Sequence, residues 1–334
     1  MKFLIRRLLL AIPVLLGVSF IVFVIMHVIP GDPVQLIFSG TGASPEQRAE
    51  MRHALGLDLP LPMQYARYVF NALRGDLGRS IHFQQPVGEL ILERMPATIE
   101  LTVVGLLLGL VVAIPAGIVS SAKRNSMIDY VVMTFATLGI SLPTFWVGIL
   151  LILFVAVNLG WLPGFGRSGF EENLTRVTGF YLIDSLLTGN LAAFKDAVVH
   201  LILPAVTLGL SAATFTTRLM RSSMLEEIGK DYVRTARAKG LRQWIVHRRH
   251  VVRNALIPVI TLIGVMVSAL LGGAVITETI FAWPGIGRLV IQAINNRDFP
   301  LVQGVVLFFA LINLSLNFVI DVLYMLVDPR IRHV

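Results

Sequence analysis

Six stretches of this 334-residue chain are apolar runs without a single lysine or arginine, near residues 8–29, 98–120, 129–157, 200–217, 254–276 and 300–324. A helix needs about 20 such residues to cross the roughly 30 Å hydrocarbon core of a bilayer. In that core only segments that satisfy their own backbone hydrogen bonds persist. The pattern therefore predicts an all-α polytopic membrane protein with six transmembrane helices, forming a single transmembrane domain over residues 1–334. With 55% hydrophobic and 14% charged residues, the chain lies far from the usual balance of soluble domains. The fourth run is the most diluted, by Pro204, Gly209 and several Ser and Thr. Neighbouring helices can satisfy backbone groups that a proline frees, so it still reads as a span. Lys2, Arg6 and Arg7 ahead of the first run suggest a signal peptide, but Pro30-Gly31-Asp32-Pro33 follows instead of a small-residue cleavage site. It reads as a retained first helix.

Every one of the 28 Lys and Arg falls in a loop or a tail. With the N-terminus inside, the cytoplasmic segments hold 17 of them, ten in residues 218–253 alone, against 11 outside. Six of those 11 sit in the outer loop of residues 30–97, which is long enough that its charges count little toward topology. Both termini are expected in the cytoplasm. The net charge of +8 would also suit a nucleic-acid binder, yet its concentration in one loop beside the membrane points to anionic headgroups or a protein partner. No nucleic acid is expected.

Enzymatic chemistry is thinly represented. With no cysteine, disulfides and thiolate metal sites are excluded. The only Gly-Lys pair, Gly229-Lys230, precedes Asp231 and lacks the upstream glycine of a phosphate loop, so any ATP is hydrolysed by another chain. Glu100, Asp129 and Asp321 lie near the ends of runs, leaving a midplane proton or sodium relay without its ionisable groups. Gly139-Ile140-Ser141 and Gly209-Leu210-Ser211 read as small-residue helix packing. His247 and His250 are separated by Arg248 and Arg249, which suits a basic interfacial patch better than a metal site. No catalytic, cofactor-binding or metal-binding residue is predicted.

Two loops carry signals of their own. In the outer loop, Ser44-Pro45-Glu46-Gln47 offers an N-cap, a helix-starting proline and a capping-box glutamine, with Gly56 as a stop. A second short helix fits from near Pro62 to Gly75, with Tyr65, Val69, Phe70 and Leu73 on one face. These two helices form either a folded linker or a docking surface for an external partner. In the loop of residues 218–253, a helix over 230–239 puts Tyr232, Thr235, Ala236 and Lys239 on one face, and Lys230, Arg234 and Arg237 on roughly the opposite one. Gly240 would end it as a left-handed cap. A short helix with a small, close-packing face suits docking into a partner's groove; the alternative is a solvated connector held by lipid headgroups.

Arg234-Thr235-Ala236-Arg237-Ala238-Lys239-Gly240 resembles the E-A-A-x-x-x-G loop of ABC importer permeases. Ala236 and Gly240 match it, whereas Arg234 and Thr235 replace its Glu and first Ala. Together with Arg253-Asn254-Ala255-Leu256-Ile257-Pro258, the departures are similar to the dipeptide, oligopeptide and nickel branch. Pro30-Gly31-Asp32-Pro33, Gly75-Asp76-Leu77-Gly78, the run from Glu278 to Gly287 and the closing Asp328-Pro329-Arg330-Ile331-Arg332 resemble its B-type permeases for dipeptides. The resemblance implies a type I ABC importer permease fold in a bacterial inner (plasma) membrane. It implies a C-type second permease, two ATPases that use ATP and Mg, and an extracytoplasmic substrate-binding protein. ATPase coupling would fall on Tyr232, Arg234, Thr235, Ala236, Lys239 and Gly240. Binding-protein contact is expected at Tyr65, Glu278, Trp283 and Gln292, where Trp283-Pro284-Gly285 reads as a rigid protruding turn. The implied cargo is di- or oligopeptides, the same branch also carrying nickel or glutathione; an ATP-independent secondary transporter is the rival class.

Overall fold

The computed structural model describes residues 2–28, 34, 44–54, 56–169 and 175–327. The Pro30–Pro33 and Asp328–Arg332 motifs lie outside them. The described residues hold helices joined by irregular segments, with no strand beyond one isolated β-bridge between Arg79 and Pro86, and they group into two compact units. Five helices are long and apolar enough to cross a membrane: Leu9–Val28, Val87–Ala122, Leu191–Ile228, Gln243–Ile280 and Phe299–Ile320.

The third apolar run differs from the single span expected. It forms two helices, Met127–Ser141 and Thr144–Asn158, bent by 104°. Pro143 is the cause, because its ring forces the preceding residue out of the helical region, and Leu142 is extended at φ −86, ψ 128. The second, fourth and fifth spans outrun their apolar runs at both ends. The second begins at Val87, about ten residues before the run, because Val87, Leu90 and Ile91 are buried on one side while Glu89 stays exposed. The fourth run, the most diluted in sequence, has the largest buried share, half of its most apolar window. Its small and hydroxylated residues are what let neighbours approach.

The first unit comprises residues 1–95 and 285–319. It contains α1 (Lys2–Val28), α2 (Pro45–Ala54), α3 (Leu61–Leu73), the start of α4 (Val87–Ala122), α12 (Ile286–Asn295) and most of α13 (Phe299–Val327). The capping box forms as expected: Gln47 N–H donates to Ser44 Oγ at 3.3 Å, and Ser44 N–H to Gln47 Oε1 at 2.9 Å. Gly56 and Gly75 both adopt positive φ, +68° and +82°. After each, a backbone N–H reaches back to close the helix, Leu57 to Arg52 O and Asp76 to Asn71 O, both at 3.0 Å. The expected apolar face of α3 is only partly covered, since Phe70 and Leu73 stay exposed.

The second unit comprises residues 96–284 and 320–334. It holds the rest of α4, then α5 (Met127–Ser141), α6 (Thr144–Leu151, continued by a π-helical turn Ile152–Asn158), α7 (Tyr181–Leu187), α8 (Leu191–Ile228), α9 (Asp231–Ala238), α10 (Gln243–Val246) and α11 (Arg253–Ile280). α8 is central, packing on α5, α6, α7 and α11. Where α4 crosses it, a Cβ on Gly209 would sit 2.2 Å from Gly105 O, and one on Gly109 would sit 2.7 Å from Gly209 O. Such spacing of small residues lets two membrane helices touch backbone to backbone.

Candidate functional site

The short helix predicted in the basic loop exists as α9, Asp231–Ala238, and Gly240 caps it at φ +75. Its orientation is a correction to the sequence reading. Ala236, expected against a partner, is buried with Val233 in a cluster with Met220, Met224, Val246, Val251, Ala255 and Val259 of the same chain. Val233 decides the matter: it is the one large aliphatic side chain of α9, and burying it is worth about 1.5–3 kcal/mol. Ala236 lies one turn on and follows it inward. The face directed away from the chain is therefore Asp231, Arg234, Thr235 and Ala238, all exposed, at the i, i+3, i+4, i+7 spacing of a single helix stripe. Lys239 is exposed beside it.

Tyr232 is a staple. Its hydroxyl hydrogen-bonds the Glu227 carboxylate and accepts from Asn254 Nδ2 at 3.0 Å. It thereby ties α9 to the end of α8 and the start of α11. Burial and the neighbouring Glu227 raise the phenol's pKa, outweighing the Asn254 bond that lowers it. Lys230, hydrogen-bonded to Glu227, has its pKa raised as well. Past Gly240, Trp244 is exposed with Arg248 5.1 Å from its ring centroid, and His247 and His250 lie in the π-helical turn His247–Val252.

The four residues expected to meet an external protein divide between the two units. Tyr65 and Gln292 are half-buried in the first. The Tyr65 hydroxyl is 2.9 Å from Ser19 Oγ and 3.0 Å from Leu16 O, and its ring meets Phe20 and Phe23, which anchors α3 to α1. Glu278 and Trp283, in the second, are fully buried, so neither side chain is available for contact and the expectation for them is corrected. Trp283 donates from Nε1 to Ala97 O at 2.9 Å, and Thr98 Oγ1 donates to Glu278 at 2.6 Å. A turn is present, with Ala282 at φ +51, but it aims the indole inward because burying so large an apolar ring outweighs exposing it.

Residues 97–333 match the family described as binding-protein-dependent transport system inner membrane component, and residues 1–102 match the N-terminal family of the same membrane component. The chain belongs to this family. The permease is 46% identical over 333 residues to the di/tripeptide transport system permease protein DppB of Pseudomonas aeruginosa, covering 100% of this chain and 99% of that one. It is 44% identical to the dipeptide permease DppB of Escherichia coli K12 over 336 residues, with the same coverage. Among solved structures, an amino acid ABC transporter and the inward-facing MetNI methionine ABC transporter share its fold. Their TM-scores are 0.51 and 0.52, at 12% and 18% identity over 70% and 72% of this chain and 92% and 96% of theirs.

Within the permease lie two ion pairs that hydropathy did not reveal, one buried and one partly buried. Arg167 donates from Nε and Nη2 to Glu100 Oε2 at 3.1 and 2.7 Å, and its guanidinium lies 3.8 Å from the Tyr181 ring centroid. Arg221 forms a two-pronged pair with Asp129, both contacts at 2.7 Å, and Ser120 Oγ adds a short bond of 2.5 Å. Asp129 and Glu100 thus hold helices together as bound anions. Among the described residues no group of three or more His, Cys, Asp or Glu is placed to hold a metal.

Proposed function

We propose that this permease forms half of the translocation pathway of an ATP-driven importer for small peptides, working with a C-type permease, two ATPase subunits and an extracytoplasmic binding protein. The observation that carries the cargo is full-length similarity, above 40% identity, to permeases whose names specify dipeptide or di/tripeptide transport. Both termini and the α9 loop face the cytoplasm in this reading, supported by the concentration of ten Lys and Arg in residues 218–253.

Coupling to the ATPase runs through the exposed stripe Asp231, Arg234, Thr235 and Ala238, flanked by Lys239. Ala236, Tyr232 and Gly240 hold that stripe in place from behind. Packed against Met220, Met224 and Val259, α9 transmits a push from below into α8 and α11. ATP can drive such movement only by binding one conformation better than the other. Within the first unit, the exposed parts of α2 and α3 with Gln292 of α12 serve as the binding-protein surface.

Purification of the tagged chain from its native membrane and reconstitution in vesicles tests the reading. A second permease and ATPases should co-purify, and vesicles with ATP on the ATPase side should take up dialanine only when binding protein is supplied on the other. Purification of the chain alone, or dialanine uptake without ATP, would overturn it.

A further inference from the structure

Within the first unit, α3, the segments flanking it and the first turn of α13 line a cavity of 410 Å³. That is enough for a ligand of a few tens of atoms. Five polar side chains on its wall keep hydrogen-bonding capacity that the described residues leave unused, Arg79 among them, whose Nη2 donates to Gln84 O at 2.7 Å. Among the described residues Arg67 makes no hydrogen bond or ion pair; Asp58 feels its charge but is bonded to His53 at 2.6 Å. The side-chain amides of Asn71 and Gln303 likewise have no partner. Asp76 accepts the Gly78 N–H through Oδ1 at 2.9 Å, which leaves its second oxygen open.

The wall around these groups is fixed by neighbouring contacts. A Cβ at Gly56 would stand 2.8 Å from Arg67 Nη1. The guanidinium thus reaches the Gly56 turn, whose φ of +68 favours glycine. Behind it, Gln64 Nε2 donates to Leu59 O at 2.7 Å, and the Tyr68 hydroxyl donates to Gln303 O at 3.3 Å. Burial pushes the Tyr68 phenol up to about 12, so it stays a neutral donor. Phe23, Leu57 and Phe299 supply the apolar part of the wall.

Two forked cations, Arg67 and Arg79, with one carboxylate and free amides around one small, partly apolar space are complementary to a compact molecule that carries a carboxylate and an ammonium. Arg67 offers the planar two-pronged geometry that suits a carboxylate, and Asp76 suits an ammonium. We propose that this cavity binds a peptide of two or three residues by its free termini, the carboxylate on Arg67 and Asn71, the ammonium on Asp76. The inference rests on the peptide reading above and adds a site for the cargo on the permease itself. An aminophospholipid headgroup, anionic and ammonium-bearing at once, shares this chemistry.

The test uses the complete importer in phosphatidylglycerol discs without binding protein, titrated with dialanine by calorimetry. Dialanine should bind, and N-acetyl-dialanine amide, with both termini blocked, should bind at least about tenfold more weakly. Arg67→Gln and Asp76→Asn should each weaken dialanine by about tenfold or more, while Arg74→Gln, outside the cavity, should change nothing. No binding at about 10 mM, or equal binding by Arg67→Gln, overturns the proposal. So does phosphatidylethanolamine held by wild type and lost in Arg67→Gln while dialanine fails to bind. Uptake of dialanine delivered by the binding protein, measured in matched vesicles, separates the two readings. Uptake without cavity binding removes this site alone, whereas absence of uptake removes the peptide function.

Discussion

Replacing Arg167 with methionine takes the counter-charge away from a carboxylate that has almost no water around it. The side chains of Arg167 and Glu100 are each 5% exposed. Both Glu100 oxygens are occupied, Oε2 by the guanidinium and Oε1 by the Leu182 N–H at 2.9 Å. Methionine keeps the unbranched stem beside Tyr181, so the change isolates charge more than packing. Leaving one member of a buried pair unpartnered costs about 3–5 kcal/mol. At roughly 2–4 °C per kcal/mol, the melting midpoint should fall by on the order of 10 °C. The assay is a thermal scan of the purified complex followed by tryptophan fluorescence, with Trp283 a local reporter 5.9 Å from the guanidinium. The double variant Glu100→Leu, Arg167→Met removes both charges and should recover most of the loss. A single variant that melts within about 2 °C of wild type, or a double variant worse than the two singles combined, would refute the counter-charge argument.

Gly209→Leu should separate α4 from α8, because even a Cβ there would stand 2.2 Å from Gly105 O. The expected result is a loss of assembled permease on size-exclusion chromatography, with Val206→Leu, at an exposed position of the same helix, behaving as wild type. The loop before α7 should loosen in acid. Burial opposes the Asp184 charge, but bonds from the Thr178 hydroxyl and the N–H groups of Val177, Thr178 and Gly179 outweigh it and hold the carboxyl below its usual 3.8. A depressed carboxyl contributes stability above the unfolded value that is lost as pH falls through the folded one. Protection of those amides against hydrogen exchange, relative to the intrinsic rate at each pH, should therefore fall below about pH 3.8, and in Asp184→Asn it should be low already at neutral pH.

What was legible in the sequence was local. The Ser44–Gln47 box, the helix stops at Gly56 and Gly75 and the cap at Gly240 depend on a few neighbouring residues, and each formed. The bend at Pro143 was equally readable, since the residue before a proline resists helix, but a run of uniform hydropathy hid it. Features set by distant residues were not readable. The direction of α9 depends on Val233 meeting Val246 and Val251, and helical spacing alone gives faces without saying which one turns inward. Arg167 pairs with Glu100 from 67 positions away. Hydropathy treats both as loop-end charges, whereas in the fold each is what makes the other's burial tolerable. Trp283 looked like a surface residue because it stands beside Pro284 and Gly285 in a turn, yet its indole had a buried carbonyl, Ala97 O, to satisfy.

The coupling assignment is tested most directly by crosslinking, which a cysteine-free chain makes clean. Single cysteines at Ala238 and Ala236, in the assembled complex with nucleotide bound, would be treated with a short thiol-to-amine crosslinker. An adduct between the permease and the ATPase is expected from Ala238 and none from Ala236, whose side chain packs against its own chain. An ATPase adduct from Ala236, with none from Ala238, would contradict it and return the docking surface to the opposite side of α9.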